Sequence, residues 1–205
     1  MNKPISQNVI QRLPKYYRYL KELTDNGITR VSSKTMSEAL HLTASQIRQD
    51  LYLFGGFGQQ GFGYDTEYLK NSIQEILGLN KTHTAIILGG GRIGQALANY
   101  GGFFAENVHI KAIFDIETSH IKPIENIGIY NIDTLSDYLK ENKIDIAIIS
   151  VQKDIAKKTA ELAIDNGVKS IWNFAPTDLF FDGVTCENIN MSESLMRLIY
   201  NSKQD

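Results

Sequence analysis

Up to Gly78 the apolar residues recur every three or four positions, the period of an amphipathic helix, and a cluster of glycines interrupts them once. Beyond Thr84 short β-branched runs alternate with helical stretches, the mark of a parallel α/β sheet. The pattern predicts a boundary between Gly78 and Thr84. In the first part Val9, Leu13, Tyr16 or Tyr17, Leu20 and Leu23 form a helical stripe from an N-cap at Ser6 to a stop at Gly27. Pro14 must kink or divide that helix, because it lacks an N–H and its ring clashes with the carbonyl four residues earlier. "SSKTMSEAL" then offers Ser33 as the N-cap of a short helix, His41 and Leu42 turn the chain, and "TASQIRQDLYLFG" begins another.

That last helix opens on a capping-box spacing, Thr43 with Gln46. Ala44, Ile47 and Leu51 share one face, while Ser45, Arg48, Gln49 and Tyr52 project roughly 100° to 200° from Ile47 and leave the outward face flat and polar. Two short helices joined by a tight turn, the second so exposed, make a helix-turn-helix whose second helix fits a major groove. An ordinary solvated helix is the plain alternative. "FGGFGQQGFGYD" follows, with Phe54, Phe57, Phe62 and Tyr64 expected to pack back while the intervening glycines permit the bends of a hairpin. In that place the hairpin is the wing of a winged helix, with Gln59 and Gln60 at its tip able to donate to phosphates or base edges. "TEYLKNSIQEILG" predicts one more helix, closed by Gly78.

Past the boundary, "TAIIL" reads as a strand, and Gly89, Gly91 and Gly94 give G-x-G-x-x-G at the turn into a helix that starts near Arg92 and carries Ile93, Ala96, Leu97 and Tyr100 on its apolar side. The next strand, "HIKAIFD", ends in Asp115 about 20 residues on, the context that turns a weak glycine motif into a dinucleotide-binding signature. The glycines let backbone approach a pyrophosphate, and a carboxylate at Asp115 accepts from ribose hydroxyls but repels a 2′-phosphate, which favours NAD(H) over NADP(H). Further strands are expected at "IGIYNI", "IDIAIISV" and "SIWNFA". "IETSHIKPIENIG", short and carrying Pro123, is a poor crossover helix.

Charge and composition narrow the function. The net charge of −2 divides into +4 up to Tyr64 and −6 beyond it, so the helical end is the one suited to a polyanion. Cys186 is the only cysteine and His41, His83, His109 and His120 stand singly, so neither an internal disulfide nor a metal cage is expected. No stretch reaches the roughly 18 apolar residues of a membrane span, and the start lacks the apolar core of a signal peptide, which points to the cytoplasm. No His or Lys in a hydride-transfer arrangement, no substrate domain, no G-x-S-x-G and no paired-carboxylate motif accompany the nucleotide signature. A cofactor without catalytic apparatus implies sensing rather than an enzyme. Two alternatives are an NAD-dependent oxidoreductase and a CoA-binding or purely structural Rossmann protein; both leave the winged helix unused.

From Ile5 to Tyr200 the chain resembles the Rex family of bacterial redox-sensing transcriptional repressors, through "RLPKYYRYL", Ser32 and Ser33, "QIRQDLYLFGGFG", "GFGYD", "GGGRIGQALANYGGF", "IFD", "NFAP" from Asn173 to Pro176, and the closing helix "SESLMRLIY". The resemblance implies a winged-helix DNA-binding domain over residues 1–79, a Rossmann NAD(H)-binding domain over 80–189, and a helix and tail over 190–205 that swap onto the partner of a homodimer. It implies that NADH releases the dimer from inverted-repeat operators in double-stranded DNA, upstream of fermentation and respiration genes, and that NAD+ competes weakly. Carried onto this sequence, it places Gly89, Gly90, Gly91, Arg92, Ile93 and Gly94 at the pyrophosphate, Asp115 at the adenosine ribose and Tyr100 near the nicotinamide. Val151 and Asn173 complete the cofactor site. Arg12, Ser33, Ser45, Gln46, Arg48, Gln49, Gln59, Gln60 and Tyr64 form the DNA-binding set, and Arg18 matches an arginine of an interdomain polar contact. The chain departs from the family pattern at Asn190 and Met191, often an Asp-Phe pair, and at Gln152, often proline. Gln49, Gln59 and Gln60 stand where bases are frequent. For the closing helix, about ten residues are too few to be helical alone in water, so Leu195, Met196, Leu198 and Ile199 need an apolar surface, on this chain or on a second copy.

Overall fold

The helical stripe of the first segment breaks where Pro14 requires it. In a computed structural model that describes residues 5–55, 57 and 62–203, α1 spans Gln7–Ile10 and α2 spans Leu13–Asp25, with Pro14 in the first turn of α2, where its missing N–H costs nothing. The chain divides between Lys81 and Thr82 into two units.

In the first unit, α3 (Ser33–Leu40) and α4 (Ala44–Tyr52) are joined by a turn in which His41 takes a left-handed conformation, and α5 (Thr66–Ile76) packs on α2. The N-cap of α3 is Ser32 rather than Ser33: its hydroxyl accepts from the Thr35 N–H at 3.0 Å, leaving Ser33 as the first helical residue. Thr43 caps α4 by accepting from the Gln46 N–H at 3.1 Å. Tyr16, Leu20, Met36, Ile47, Leu51, Leu69 and Ile73 make the core.

At the base of the glycine-rich segment two short strands pair, β1 (Arg30–Val31) antiparallel to β2 (Tyr64–Asp65), and Tyr64 is buried in the core opposite Val31; the hairpin expected between them lies largely outside the described residues. Tyr64 thus packs inward instead of standing free on the surface as expected, and burial pushes its phenol pKa up. Phe54 and Phe57 pack back as expected, but Phe62 is exposed. Gln59 and Gln60 lie outside the described residues.

The second unit is a six-stranded, wholly parallel sheet in the order β5-β4-β3-β6-β7-β8: β3 His83–Leu88, β4 Val108–Asp115, β5 Gly128–Asn131, β6 Ile146–Ile149, β7 Ser170–Asn173 and β8 Thr185–Asn188. This is the doubly wound arrangement of a Rossmann fold, with order reversing between β3 and β6. Residues alternate along each strand: Ile86 and Leu88 face α8 (Leu135–Glu141) and α9 (Lys153–Asp165), whereas Ala85 and Ile87 face the side of α6 (Arg92–Ala98), which the short α7 (Gly102–Ala105) follows in the chain. Ala156, Ala160 and Ala163 bring α9 close to the sheet. As the proline suggests, no helix joins β4 to β5 among residues 116–127. Sequence patterning misses β8, because "TCEN" is a short polar edge strand with only alternate residues half-buried.

The last helix, α10 (Met191–Asn201), has no buried residue: Leu195, Met196, Leu198, Ile199 and Tyr200 are 48–65% exposed. Asn190 caps it, accepting from the Ser192 N–H at 3.1 Å and the Glu193 N–H at 3.4 Å.

The Thr66 hydroxyl is fully buried without a hydrogen-bond partner, a desolvation cost of about 1–3 kcal/mol. The isosteric change Thr66→Val should raise stability by about 1 kcal/mol in urea unfolding of the first unit; a loss of that size would show that the hydroxyl is bonded.

Candidate nucleotide pocket and nucleic-acid face

The end of β3 is shaped by two glycines. Gly89 has φ +107°, and a Cβ there would sit 2.6 Å from the Ser150 carbonyl oxygen. A Cβ on Gly94 would land on the Gly89 carbonyl, so only glycine lets α6 begin directly over the strand. Gly91 is the N-cap of α6 and has open space before it. Asp115, at the tip of β4, fixes this turn: one carboxylate oxygen accepts from the Gly90 N–H at 2.5 Å and the other from the Glu117 N–H at 3.0 Å. Gln95 Nε2 donates to the Gly90 carbonyl at 2.8 Å, with His120 Nε2 3.1 Å away.

Gly89, Gly91 and Asp115 border a cavity of about 310 Å³ at the C-terminal ends of β3, β4 and β6, where the strand order reverses. Gly89, Gly91, Asp115, Ser150 and Gln152 form its polar edge, and Val151, Ile116, Ile132 and Ile155 make an apolar slot. The slot suits an adenine, Asp115 its ribose hydroxyls, and the Gly89–Gly91 backbone a pyrophosphate. Gln152 belongs to this wall and precedes α9 as its N-cap.

Other expected ligands are placed differently. Arg92 and Ile93 are exposed and, with Tyr100, stand outside the lining. The face of α6 toward the sheet carries Gly94, Leu97 and Ala98 instead of Ile93, Ala96 and Tyr100, because Gly94 takes the position of closest approach. Tyr100 is 60% exposed and opens a row of edge-to-face rings: Phe103 at 4.8 Å, then Trp172 at 5.4 Å, then Phe174 at 4.8 Å. Asn173 is a correction. Fully buried, it donates to the Thr177 carbonyl at 2.6 Å and to the Asn188 side chain at 2.8 Å, and accepts from the Ala175 N–H at 3.0 Å. Its amide holds the turn after β7 to β8, with both of its N–H groups engaged inside the fold.

On α4, Ser45, Arg48, Gln49 and Tyr52 are exposed together around a shallow depression, while Gln46 is half-buried. Arg48 Nη1 donates to the Ser33 hydroxyl at 3.0 Å, so α3 holds the arginine in place. Arg12 does not join this face. Its Nε and Nη2 grip Asp50 at 2.6 and 2.8 Å, and Tyr16 donates to the same carboxylate at 2.6 Å. Asp50 was not legible as a functional residue, although Arg12 and Tyr16 at i, i+4 opposite a carboxylate on an apolar face form a detectable pattern. Its hydrogen bond raises the Arg12 pKa, and burial raises that of Tyr16, with Asp50 adding to it. Arg18 is exposed on α2. Among the described residues no cluster suits a metal ion, and no helix is long and apolar enough to cross a membrane.

Residues 4–51 match the family model "Putative DNA-binding protein N-terminus" and residues 80–177 the model "CoA binding domain". The chain is 52% identical over 198 residues to the redox-sensing transcriptional repressor Rex of Clostridium tetani, covering 96% of this chain and 94% of that one. It is 48% identical over 205 residues to Rex of Clostridioides difficile, covering 99% and 98%. It belongs to the Rex family. Rex relatives of known structure superpose closely: RSP with beta-NAD+ and operator DNA at TM-score 0.92 and 46% identity, covering 98% of this chain and 94% of that one, and RSP with beta-NADH at 0.89 and 43%, covering 98% and 96%. The Rex family is one of transcriptional regulators rather than enzymes, which sets the oxidoreductase alternative aside.

Asn173→Ala should lower the stability of the second unit by about 2–3 kcal/mol in urea unfolding, the cost of orphaning buried partners. Unchanged stability would return Asn173 to the cofactor set.

Proposed function

We propose that the chain is a homodimeric repressor of the cytoplasm that binds inverted-repeat DNA through α3, α4 and the glycine-rich segment, and that NADH in the cavity beside Gly89 and Asp115 releases it, with NAD+ competing weakly. One observation carries this reading: a nucleotide cavity at the strand-order reversal is joined, in a single chain, to a helical unit that turns Ser45, Arg48 and Gln49 outward. The RSP complexes with both nucleotide forms and with operator DNA support the same ligand pair here. Operators of fermentation and respiration genes are the targets the family resemblance implies.

On the DNA side, Ser45, Arg48 and Gln49 meet base edges or phosphates, Ser33 steadies Arg48, and Gln46 lies at the start of the same helix. The family resemblance adds Gln59 and Gln60 to the contact set. Arg12 and Tyr64 drop out of the contact set. On the nucleotide side, Gly89, Gly90, Gly91 and Gly94 shape the pyrophosphate turn, Asp115 keeps lone pairs for the ribose and repels a 2′-phosphate, and Val151 walls the cavity. Arg92, Ile93 and Tyr100 meet the part of the dinucleotide that extends past this cavity. Adenosine diphosphate is common to NAD(H) and CoA, so the "CoA binding domain" match fits the same slot.

The nicotinamide end must then distinguish the two redox forms. Reduced nicotinamide is uncharged and puckered, and a nicotinamide ring seated on Tyr100 and Phe103 gives up water, which costs the flat cation more than the neutral ring. Moving a dimer from 1:99 to 99:1 between DNA-competent and incompetent states takes about 5.5 kcal/mol of differential binding. In the competent state two helical units reach major grooves one helical turn, or a multiple, apart. The apolar residues of α10, on a helix too short to persist alone, are covered by the second copy.

The test is fluorescence anisotropy at fixed salt with an inverted-repeat duplex that the protein selects from random sequence. NADH should release the duplex at concentrations where NAD+ has little effect. Tyr100→Ala should narrow the NADH/NAD+ difference while operator binding stays intact. Selection of no duplex, or release equal for the two forms, contradicts the proposal.

A further inference from the structure

Asp50 lies on α4, the helix that carries Ser45, Arg48 and Gln49, yet it is only 3% exposed. By helical geometry it falls about 60° to one side of Ile47, and Leu51 falls about 40° to the other, so the three define the inward face opposite the polar one. Ile47 and Leu51 are held by apolar contact, which is non-directional and tolerates rotation of the helix about its axis. Asp50 is held differently. Two N–H groups of Arg12 form a parallel fork on its carboxylate, and Tyr16 closes the third side, all at 2.6–2.8 Å. A bidentate pair adds geometric specificity that packing lacks. Arg12 itself stands at the break between α1 and α2, one turn before the fully buried Tyr16, so the partners of Asp50 sit on a fixed base.

We propose that the Arg12–Asp50–Tyr16 cluster sets the rotation of α4 about its axis, so that Arg12 and Asp50 are positioning residues for operator recognition and Arg12 makes no phosphate contact of its own. This rests on the reading of α4 as the helix that meets DNA. A charged fork buried beneath a recognition surface makes a tilt of Arg48 and Gln49 costly, and a rotation that small is enough to lose a base contact.

The full-length wild type, Asp50→Asn, Arg12→Gln, their double variant and Tyr16→Phe are titrated, against salt, with the selected inverted-repeat duplex and with an unrelated duplex. Failure of the wild type to select or bind a duplex overturns the DNA-binding reading, and this inference with it. With the wild type binding, Asp50→Asn and Arg12→Gln should each weaken operator binding by about tenfold, the worth of one good base contact. The double variant should lose no more than the worse single, because both remove the same interaction. Affinity for the unrelated duplex and the salt slope should stay at wild-type values, which a general loss of stability would not allow. A drop of about 0.9 in the salt slope for Arg12→Gln, with Asp50→Asn unaffected, overturns the proposal, since it marks a lost phosphate contact. Wild-type operator affinity in both single variants also overturns it. Should both fail to fold, Tyr16→Phe decides: a loss of operator selectivity of about threefold at unchanged slope supports the proposal, and wild-type selectivity overturns it.

Discussion

The approach of α6 to the end of β3 is the constraint on which the nucleotide-binding half depends. Gly94 sits against the Gly89 carbonyl with no room for a methyl group, and Gly89 lies as close to the backbone at Ser150. Because these contacts are backbone to backbone, no side-chain rearrangement could relieve a larger residue. They bring the ends of β3 and β6 together under the helix start, and Asp115 clamps the turn from β4 through the Gly90 N–H. The cavity is what remains above those three strand ends. Its slot and carboxylate edge follow from strand order and from this one close packing.

How much of this was legible in the sequence depended on whether a feature is local. Pro14 divided its helix, Thr43 capped α4, and the glycines, the sheet strands and the poor crossover around Pro123 fell where pattern and spacing placed them. These features rest on backbone geometry and periodicity, which neighbouring residues fix. The edge strand β8 carries no apolar run and left no periodic signal. Ser32 displaced Ser33 as a cap because both residues suit the role, and only the register of α3 chooses between them.

The site residues that moved share a physical cause. Arg12, Tyr64 and Asn173 are polar or amphipathic, and sequence pattern alone suggests that each faces a ligand. The fold instead turns each toward a buried partner: Arg12 to Asp50, Tyr64 to the core opposite Val31, and Asn173 to Thr177, Ala175 and Asn188. A polar group costs much when buried unpaired and little when paired, so its role depends on partners far away in sequence. Single-chain periodicity cannot supply those partners. The exposed set Ser45, Arg48 and Gln49 could be read because a helical face is a local property.

The account joins two units through thermodynamics: nucleotide in one must change the affinity of the other for DNA. Coupling of that kind is reciprocal, so the factor by which NADH weakens operator binding must equal the factor by which operator weakens NADH binding. The most direct measurement is therefore the NADH and NAD+ affinity of the dimer with and without saturating inverted-repeat duplex, at one salt concentration. The account predicts that the duplex weakens NADH binding by the same factor that NADH weakens duplex binding, and leaves NAD+ nearly unchanged. NADH affinity that is indifferent to the duplex would contradict it.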